Sequence, residues 1–173
     1  MKKLLIVVDM QNDFIDGALG TGEAVAILDG AVDMINGFDG DIIATYDTHG
    51  EDYLDTPEGI KLPVRHCIKG EGGWRLNPKV ESALTARGYL AVEKNIFGST
   101  ELPDIIRKRF PDNEEIYLLG LCTDICVVSN AIILKNVFPE KKIAVYSSLC
   151  AGVTPESHKA ALTVMASCQI DIL

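Results

Sequence analysis

The chain has 173 residues, 47% of them hydrophobic and 6% aromatic, and a formal net charge of −9 at pH 7. This length suits one domain with a sizeable core, which we place at residues 1–173, and the composition is ordinary for a soluble α/β protein. The acidic balance argues against nucleic acid or an anionic membrane as the main partner, because both require clustered Lys and Arg.

The N-terminal apolar run and the cysteines bear on the compartment. The run at residues 4–8 is much too short for a signal-peptide core or a membrane span. The five cysteines are odd in number and irregularly spaced. Together these features predict free thiols in a reducing cytoplasm.

Short apolar runs recur along the chain with helical segments between them. They lie at residues 4–8, 41–46, 89–92, 115–119, 142–146 and 170–173. Their continuous rather than alternating character is typical of strands buried on both faces. Strand–helix alternation at this length predicts a three-layer, Rossmann-like α/β/α fold around a mainly parallel sheet of these six strands.

Residues 47–77 break the alternation. This segment is rich in Gly and Pro, has no convincing period, and contains His49, His66 and the only tryptophan, Trp74. A loop this long inside a domain is usually functional or disordered, and this composition favours function. We expect the segment to shape a binding pocket.

Four residues with chemical potential follow the predicted strands. Asp9 follows the first, Asp47 the second and Lys94 the third, and Cys126 opens the helix after the fourth. In an open parallel sheet, ligands bind at the carboxyl ends of the strands. Any one of these residues can simply mark where a strand meets water, but all of them on one edge favour a shared site.

Cys126 is the candidate nucleophile. In the first turn of a helix, unpaired N–H groups and the dipole favour a thiolate, and Lys94 would lower the thiol pKa further. Asp9 would accept the thiol proton and later deliver it to a departing amine. Backbone N–H groups at Cys122 and Cys126 would hold the oxyanion. This pattern predicts acyl transfer through a thioester; the alternative is a buried cysteine with only a packing role.

Asp47, His49 and His66 form a candidate metal site. An Asp-x-His pair at a strand end places both side chains on one side of the chain. A second imidazole would complete a ligand set for Zn²⁺, Fe²⁺ or Mn²⁺ with open positions for water or substrate. The alternative is a hydrogen-bonding cluster without metal. We expect no organic cofactor.

The motifs that hold these residues are VVDMQNDF at 7–14, DTH at 47–49, PVRHC at 63–67, EKNIFGS at 93–99 and GLCTDICV at 120–127. In this order the chain resembles the isochorismatase-like cysteine hydrolases, and within them the nicotinamidase-related amidases, over nearly its whole length.

The resemblance implies a catalytic triad of Asp9, Lys94 and Cys126. It also implies a non-proline cis peptide at Leu121–Cys122, which turns backbone N–H groups into the oxyanion hole. On Asp47, His49 and His66 it implies a divalent metal, first of all zinc, that holds the pyridine nitrogen of the substrate.

The chain also departs from the nicotinamidase pattern. Nicotinamidases commonly carry an aromatic residue shortly before the second histidine, and residues 61–66 contain none. A fourth metal-site side chain has no clear counterpart, with Asp55 as the stand-in. We expect Phe14 and Trp74 to form walls of the substrate pocket instead.

Together these features predict a cytoplasmic, nicotinamidase-like amidohydrolase that cleaves the C–N bond of a small amide through a Cys126 thioester. Isochorismatases act on an enol ether and some lack the cysteine, so Cys126 favours an amide. The alternatives are another hydrolase of the family, acting on a carbamoyl or ureido amide or on isochorismate, and a non-catalytic binding or thiol-redox protein. Relatives often form dimers or tetramers, so we expect a homo-oligomer.

Overall fold

The computed structural model describes residues 2–173. They form a sheet of six strands: β1 (Lys2–Val8), β2 (Asp41–Asp47), β3 (Leu90–Lys94), β4 (Asn113–Leu121), β5 (Lys142–Ala151) and β6 (Asp171–Ile172). The α-helices are α1 (Asn12–Ile15), α2 (Gly22–Ala26), α3 (Leu28–Gly37), α4 (Pro57–Lys61), α5 (Pro78–Arg87), α6 (Leu102–Arg109), α7 (Val128–Val137) and α8 (Pro155–Ser167). Each apolar run that predicted a strand forms one, and all neighbouring strands are parallel. The predicted α/β fold is confirmed.

The order of the strands determines where a ligand can bind. The sheet runs β3-β2-β1-β4-β5-β6, so the chain builds outward from β1 in one direction and then returns to add β4 on its other side. In such sheets the crevice lies outside the carboxyl ends of the strands, at the point where the order reverses. Here that point lies between β1 and β4, directly beside the residues that follow them.

Alternation along β1 divides the core between the two faces of the sheet. Leu5 and Val7 belong to one apolar cluster, together with residues of α3 and α5. Leu4, Ile6 and Val8 belong to the other cluster, together with residues of α6, α7 and α8. Because both faces are covered by helices, β1 has no polar face, which explains its continuous apolar sequence.

Gly120 allows the ends of β1 and β4 to approach closely. Its φ is +121°, in the region that disfavours other residues, and it pairs with Val8. A Cβ atom at this position would lie 2.1 Å from the carbonyl oxygen of Val8. Only glycine fits here, and its presence brings the residues that follow the two strands together.

The segment that lacked a periodic pattern contains two short helical elements. Tyr53–Asp55 is a 3₁₀ turn, and α4 follows it, capped by the Thr56 side chain, which accepts a hydrogen bond from the Gly59 N–H. These elements are too short to produce a hydrophobic period. None of the helices formed by residues 2–173 has the length and apolar content that a bilayer crossing requires.

Candidate active site

Asp9 is the first residue after β1 and lies in the interior of the protein. Its backbone has a φ of +46° and its side chain is buried. Carboxylate atom Oδ1 accepts a hydrogen bond of 2.6 Å from the Thr45 hydroxyl. Atom Oδ2 makes no hydrogen bond of regular geometry within residues 2–173, but lies 2.7 Å from Lys94 Nζ. One oxygen is therefore held by β2, and the other is paired with the Lys94 ammonium.

Lys94 ends β3 and contacts three functional groups. Its Nζ atom lies 2.7 Å from Asp9 Oδ2, 3.3 Å from Asp47 Oδ1 and 3.5 Å from Cys126 Sγ. Burial lowers the pKa of this ammonium, but the charges of Asp9, Cys126 and Asp47 more than offset that effect and raise it. Lys94 therefore stays protonated while its neighbours exchange protons.

Cys126 lies in a π-helical turn, Thr123–Val127, between β4 and α7. The sequence predicted the first turn of an α-helix there and a lowered thiol pKa. The predicted direction of the pKa shift is wrong. Burial and the charge of Asp9 raise the pKa of Cys126, and Lys94 offsets only part of the increase. The resting thiol is neutral and needs a base to activate it.

The turn that leads to Cys126 contains the backbone feature that the resemblance implied. The peptide bond between Leu121 and Cys122 is cis. The N–H groups of Ile125 and Val127 both donate to the Cys122 carbonyl, at 3.1 and 3.0 Å. The turn therefore has a defined conformation at the nucleophile.

Asp47, His49 and His66 come together as the sequence predicted. One ligand atom from each lies within 4.8 Å of the others, and all three side chains are buried. The Nε2 atoms of His49 and His66 lie 2.9 and 3.6 Å from Asp47 Oδ2. Burial raises the pKa of Asp47, but the hydrogen bonds from the two imidazoles and the charge of Lys94 reverse the effect and lower it.

The hydrogen-bond partner of His66 suits a role of this imidazole as a metal ligand. Its Nδ1 atom lies 2.8 Å from the Val64 carbonyl, which has to be the acceptor. The Nδ1–H therefore donates to Val64, and Nε2 faces Asp47 and His49, where it donates while the ring is protonated and would offer a lone pair to a metal once the ring is neutral. This arrangement of a second-sphere acceptor is common behind imidazoles that bind metal.

Glu58 was missed by sequence reasoning. Its Oε1 atom lies 3.8 Å from His49 Nε2 and 3.9 Å from His66 Nε2, so it faces the cluster from α4. The proposal of Asp55 for this position is wrong, because Asp55 ends the preceding 3₁₀ turn and is exposed. The Thr56-Pro57 pair, an N-cap followed by proline, was the sequence signal that a helix starts here with Glu58 in its first turn.

Two further residues of the first motif hold the cluster of Asp47, His49 and His66 in place. Gln11 is buried; its Oε1 accepts from the Asp47 N–H, and its Nε2 donates to the Asp47 carbonyl, both at 2.8 Å. Asp13 Oδ2 accepts a 2.7 Å hydrogen bond from the N–H of Cys67, next to His66. The motif thus supplies Asp9 to the cluster around Cys126. Its Gln11 and Asp13 bind the backbone next to the residues of the cluster around Asp47.

A cavity of about 210 Å³ opens above both clusters. Cys126, Asp47, His66 and Glu58 contribute to its lining. Much of the remaining wall is apolar and includes Phe14, Leu19, Leu62, Phe97, Ile125 and Val153. A small molecule with one polar group over the thiol and another over Asp47 and His66 suits this cavity.

The aromatic walls agree only in part with the sequence-based prediction. Phe14 lines the cavity, as predicted, and its ring packs edge-on against His66. Trp74 does not line it: the indole Nε1–H donates to Thr48 Oγ1 at 2.9 Å, and the ring packs on Tyr46. Phe97, from the loop after Lys94, provides the second aromatic wall.

Comparison with known proteins agrees with this fold. The family model of the isochorismatase domain matches residues 3–173, and the chain therefore belongs to the isochorismatase family. An uncharacterized isochorismatase family protein, PncA of Bacillus subtilis (strain 168), is 32% identical over 96% of both chains.

One sequence relative and one solved structure whose names give an activity are also similar over their full length. The nicotinamidase/pyrazinamidase of Mycobacterium tuberculosis (strain H37Rv) is 28% identical, over 99% of this chain and 98% of its own. The crystal structure of the nicotinamidase/pyrazinamidase PncA from Bacillus subtilis superposes with a TM-score of 0.85 and 29% identity, over 99% of both chains.

Proposed function

We propose that this protein is a cysteine amidohydrolase that cleaves the C–N bond of a small, nicotinamide-like amide. The observation that carries the proposal is the buried cluster of Asp9, Lys94 and Cys126, of which Cys126 lines the cavity. A neutral thiol beside a carboxylate and an ammonium is suited to nucleophilic attack on a carbonyl. The names of the relatives support an amide as the substrate.

Asp9 would begin the reaction by accepting the thiol proton. Burial raises the pKa of Asp9, and Asp47 adds to the increase, although Lys94 opposes it. A carboxylate with a raised pKa is a stronger base than an exposed one. The Cys126 thiolate then attacks the amide carbon, and the oxygen becomes an anion that the N–H groups of Cys122 and Cys126 stabilise.

The remaining steps return each group to its starting state. Asp9 delivers its proton to the nitrogen, the C–N bond breaks, ammonia or an amine leaves, and a thioester remains on Cys126. Asp9 then takes a proton from water, whose oxygen attacks the thioester carbon. The C–S bond breaks, the acid is released, and the proton returns to the sulfur. Lys94 keeps its charge throughout and stabilises the thiolate.

The cluster of Asp47, His49 and His66, with Glu58 facing it, fits a divalent metal. Asp47 and Glu58 offer oxygen and His49 and His66 offer nitrogen, a set that suits Zn²⁺ best, with Fe²⁺ or Mn²⁺ as alternatives. Bound metal would supply a Lewis acid for a ring nitrogen or another donor of the substrate. Phe14 and Phe97 would orient the acyl group between this cluster and the thiol.

We propose further that the protein is a cytoplasmic homo-oligomer with one domain over residues 1–173. Five free cysteines support a reducing compartment. Three residues of the cavity wall, Leu62, Phe97 and Val153, are 38%, 39% and 52% exposed. A second copy of the chain that covered them would remove this apolar surface from water and close the cavity.

A thiol-redox role has less support than hydrolysis. Burial raises the pKa of Cys122 to about 12 and also raises that of Cys126. Thiols that exchange disulfides at neutral pH have lowered pKa values instead.

The test is a screen for ammonia release with nicotinamide, pyrazinamide, carbamoyl compounds and short aliphatic amides. We expect turnover of a ring-bearing amide by the wild-type protein and none by Cys126→Ala. Turnover that persists in Cys126→Ala would exclude the thioester mechanism. Release of ammonia from no compound of the panel would exclude the proposed function.

A further inference from the structure

Asn130 is a fully buried polar side chain that the proposed chemistry does not use. It lies on α7, one turn after Cys126. Its Nδ2 donates to the carbonyl of Cys126 at 2.8 Å and to the carbonyl of Phe97 at 3.2 Å. Its Oδ1 accepts from the N–H of Ser99 at 3.0 Å. The amide thus bonds simultaneously to the residue of the nucleophile and to a separate segment of the chain.

That separate segment is the loop between β3 and α6, residues 95–101, which carries Phe97 into the cavity wall. The loop has no regular hydrogen-bond ladder. Both of its bonds to Asn130 involve backbone atoms, so they fix the path of the chain on each side of residue 98.

Gly98 provides independent evidence that the loop has one position against α7. A Cβ atom there would lie 2.6 Å from Ile133 Cδ1 and 3.0 Å from Ser129 Cβ. The backbone of the loop therefore packs directly on the helix, with no side chain between them. The close contact at Gly98 lies between the two residues, Phe97 and Ser99, that the Asn130 amide binds.

Phe97 itself contributes little to its own placement. Its side chain is 39% exposed, so apolar packing holds it weakly. We infer that Asn130 is a positioning residue, which fixes the Phe97 wall at a set distance from Cys126 and thereby selects the acyl groups that fit over the thiol. The inference deepens the proposed amidase function and rests on it.

This role separates substrate fit from the chemistry at sulfur. Phe97 lines the cavity, so a ring-bearing amide bound there would contact it, and a displaced wall would weaken binding. The contacts of Cys126 with Lys94, and of Lys94 with Asp9, do not involve the loop after residue 94. Loss of the hydrogen bonds between Asn130 and the loop should therefore raise KM more than it lowers kcat.

Asn130→Thr is the sharpest variant. A threonine hydroxyl on a helix can donate to the carbonyl four residues earlier, so the bond to Cys126 is kept while both bonds to the loop are lost. Asn130→Leu, of similar size, removes all three. Asn136→Leu is the matched control, because Asn136 Nδ2 donates to the Ile132 carbonyl at 2.9 Å in the same helix but at an exposed position.

The first measurement is hydrogen exchange of the peptide that spans residues 95–101, which needs no turnover. We expect faster exchange there in Asn130→Thr and Asn130→Leu, and no change in Asn136→Leu. Unchanged exchange in both Asn130 variants would overturn the inference, whatever the activity of the protein.

The second measurement is a double-mutant cycle with nicotinamide as substrate. We expect Asn130→Thr and Phe97→Ala each to raise KM about fivefold or more, with kcat within about twofold, and the double variant to show no further increase, since the two changes affect one wall. Multiplying effects, or a loss confined to kcat, would overturn the inference. If wild type releases ammonia from no compound of the panel, the proposed function fails separately, and the affinity for nicotinic acid, by calorimetry, replaces KM in the same cycle.

Discussion

Lys94 Nζ lies 2.7 Å from Asp9 Oδ2, and the two side chains are 2% and 0% exposed. This ion pair is thus removed from water and depends on its own geometry. Breaking such a pair by removing one partner typically costs about 3–5 kcal/mol, because the other charge stays buried without compensation. Residues proposed to act in catalysis therefore also contribute to the stability of the fold.

Lys94→Met should abolish amide hydrolysis and lower the free energy of unfolding by about 3–5 kcal/mol, since Asp9 and Asp47 lose their common cation. Urea denaturation and ammonia release would measure the two effects. Lys2→Met is the control: Lys2 pairs with Asp112 at 3.0 Å, but both side chains are largely exposed. We expect that control to stay close to wild type, and an equal loss in both variants would contradict a special role for the buried pair.

Cys126→Ala should remove all turnover and leave the thermal midpoint within a few degrees of wild type, because only one sulfur atom is lost from the core. Cys150→Ala is a suitable control, since Cys150 has the same 4% exposure but does not line the cavity. Hydrolysis of a ring-bearing amide and thermal melting provide the readouts. Full activity in Cys126→Ala, or equal inactivation by both substitutions, would contradict the nucleophile assignment.

The pH dependence of alkylation tests the charge state of the thiol. Only the thiolate reacts, and burial and Asp9 raise the pKa of Cys126, so the thiolate fraction is small at pH 7 and grows as the pH rises. The rate with iodoacetamide should still be rising beyond pH of about 8.5, the ordinary thiol value.

Asp9→Asn should make Cys126 more reactive towards iodoacetamide but inactive in hydrolysis. Without the carboxylate, the thiol pKa falls because Lys94 remains beside Cys126. Alkylation at pH 7 should therefore be faster than in wild type, while hydrolysis is lost with the base. Mass spectrometry can follow Cys126 and the exposed Cys168 in the same sample. A wild-type profile that levels off below pH 7 would show that the thiol is activated before substrate binds.

Glu58→Gln should weaken zinc binding by at least about tenfold, since this carboxylate faces both imidazoles. Asp55→Asn, three residues earlier and exposed, should leave it unchanged. Competition with a chromogenic chelator measures the affinity, and elemental analysis of protein purified without a histidine tag identifies the resident metal. Equal affinities in the two variants would remove Glu58 from the ligand set.

Sequence reasoning succeeded where a residue is placed by the end of a strand. Asp9, Asp47 and Lys94 follow or end apolar runs, and parallel strands bring their carboxyl ends to one edge, so their proximity could be predicted. Cys126 was placed by the same argument. The direction of its pKa shift was not, because that depends on how deeply the thiol is buried and on which side Asp9 approaches it.

The segment after β2 was less predictable because long-range contacts determine its path. Gln11 Nε2 donates to the Trp74 carbonyl at 2.7 Å, and the Trp74 indole binds Thr48, so the ring turns away from the cavity. Neither contact has a periodic signature in the sequence. The same holds for Glu58, whose helix has only five residues.

The order of the strands also has a consequence for how the protein folds. Asp9 and Lys94 are 85 positions apart in the sequence. The side chains of these two residues can meet Cys126 only after β2 has paired with β3 and β1 with β4. Parallel pairings of this separation form late compared with local helices. During refolding, recovery of hydrolysis should therefore lag behind the helical signal in circular dichroism, and would time the assembly of four strands of the sheet.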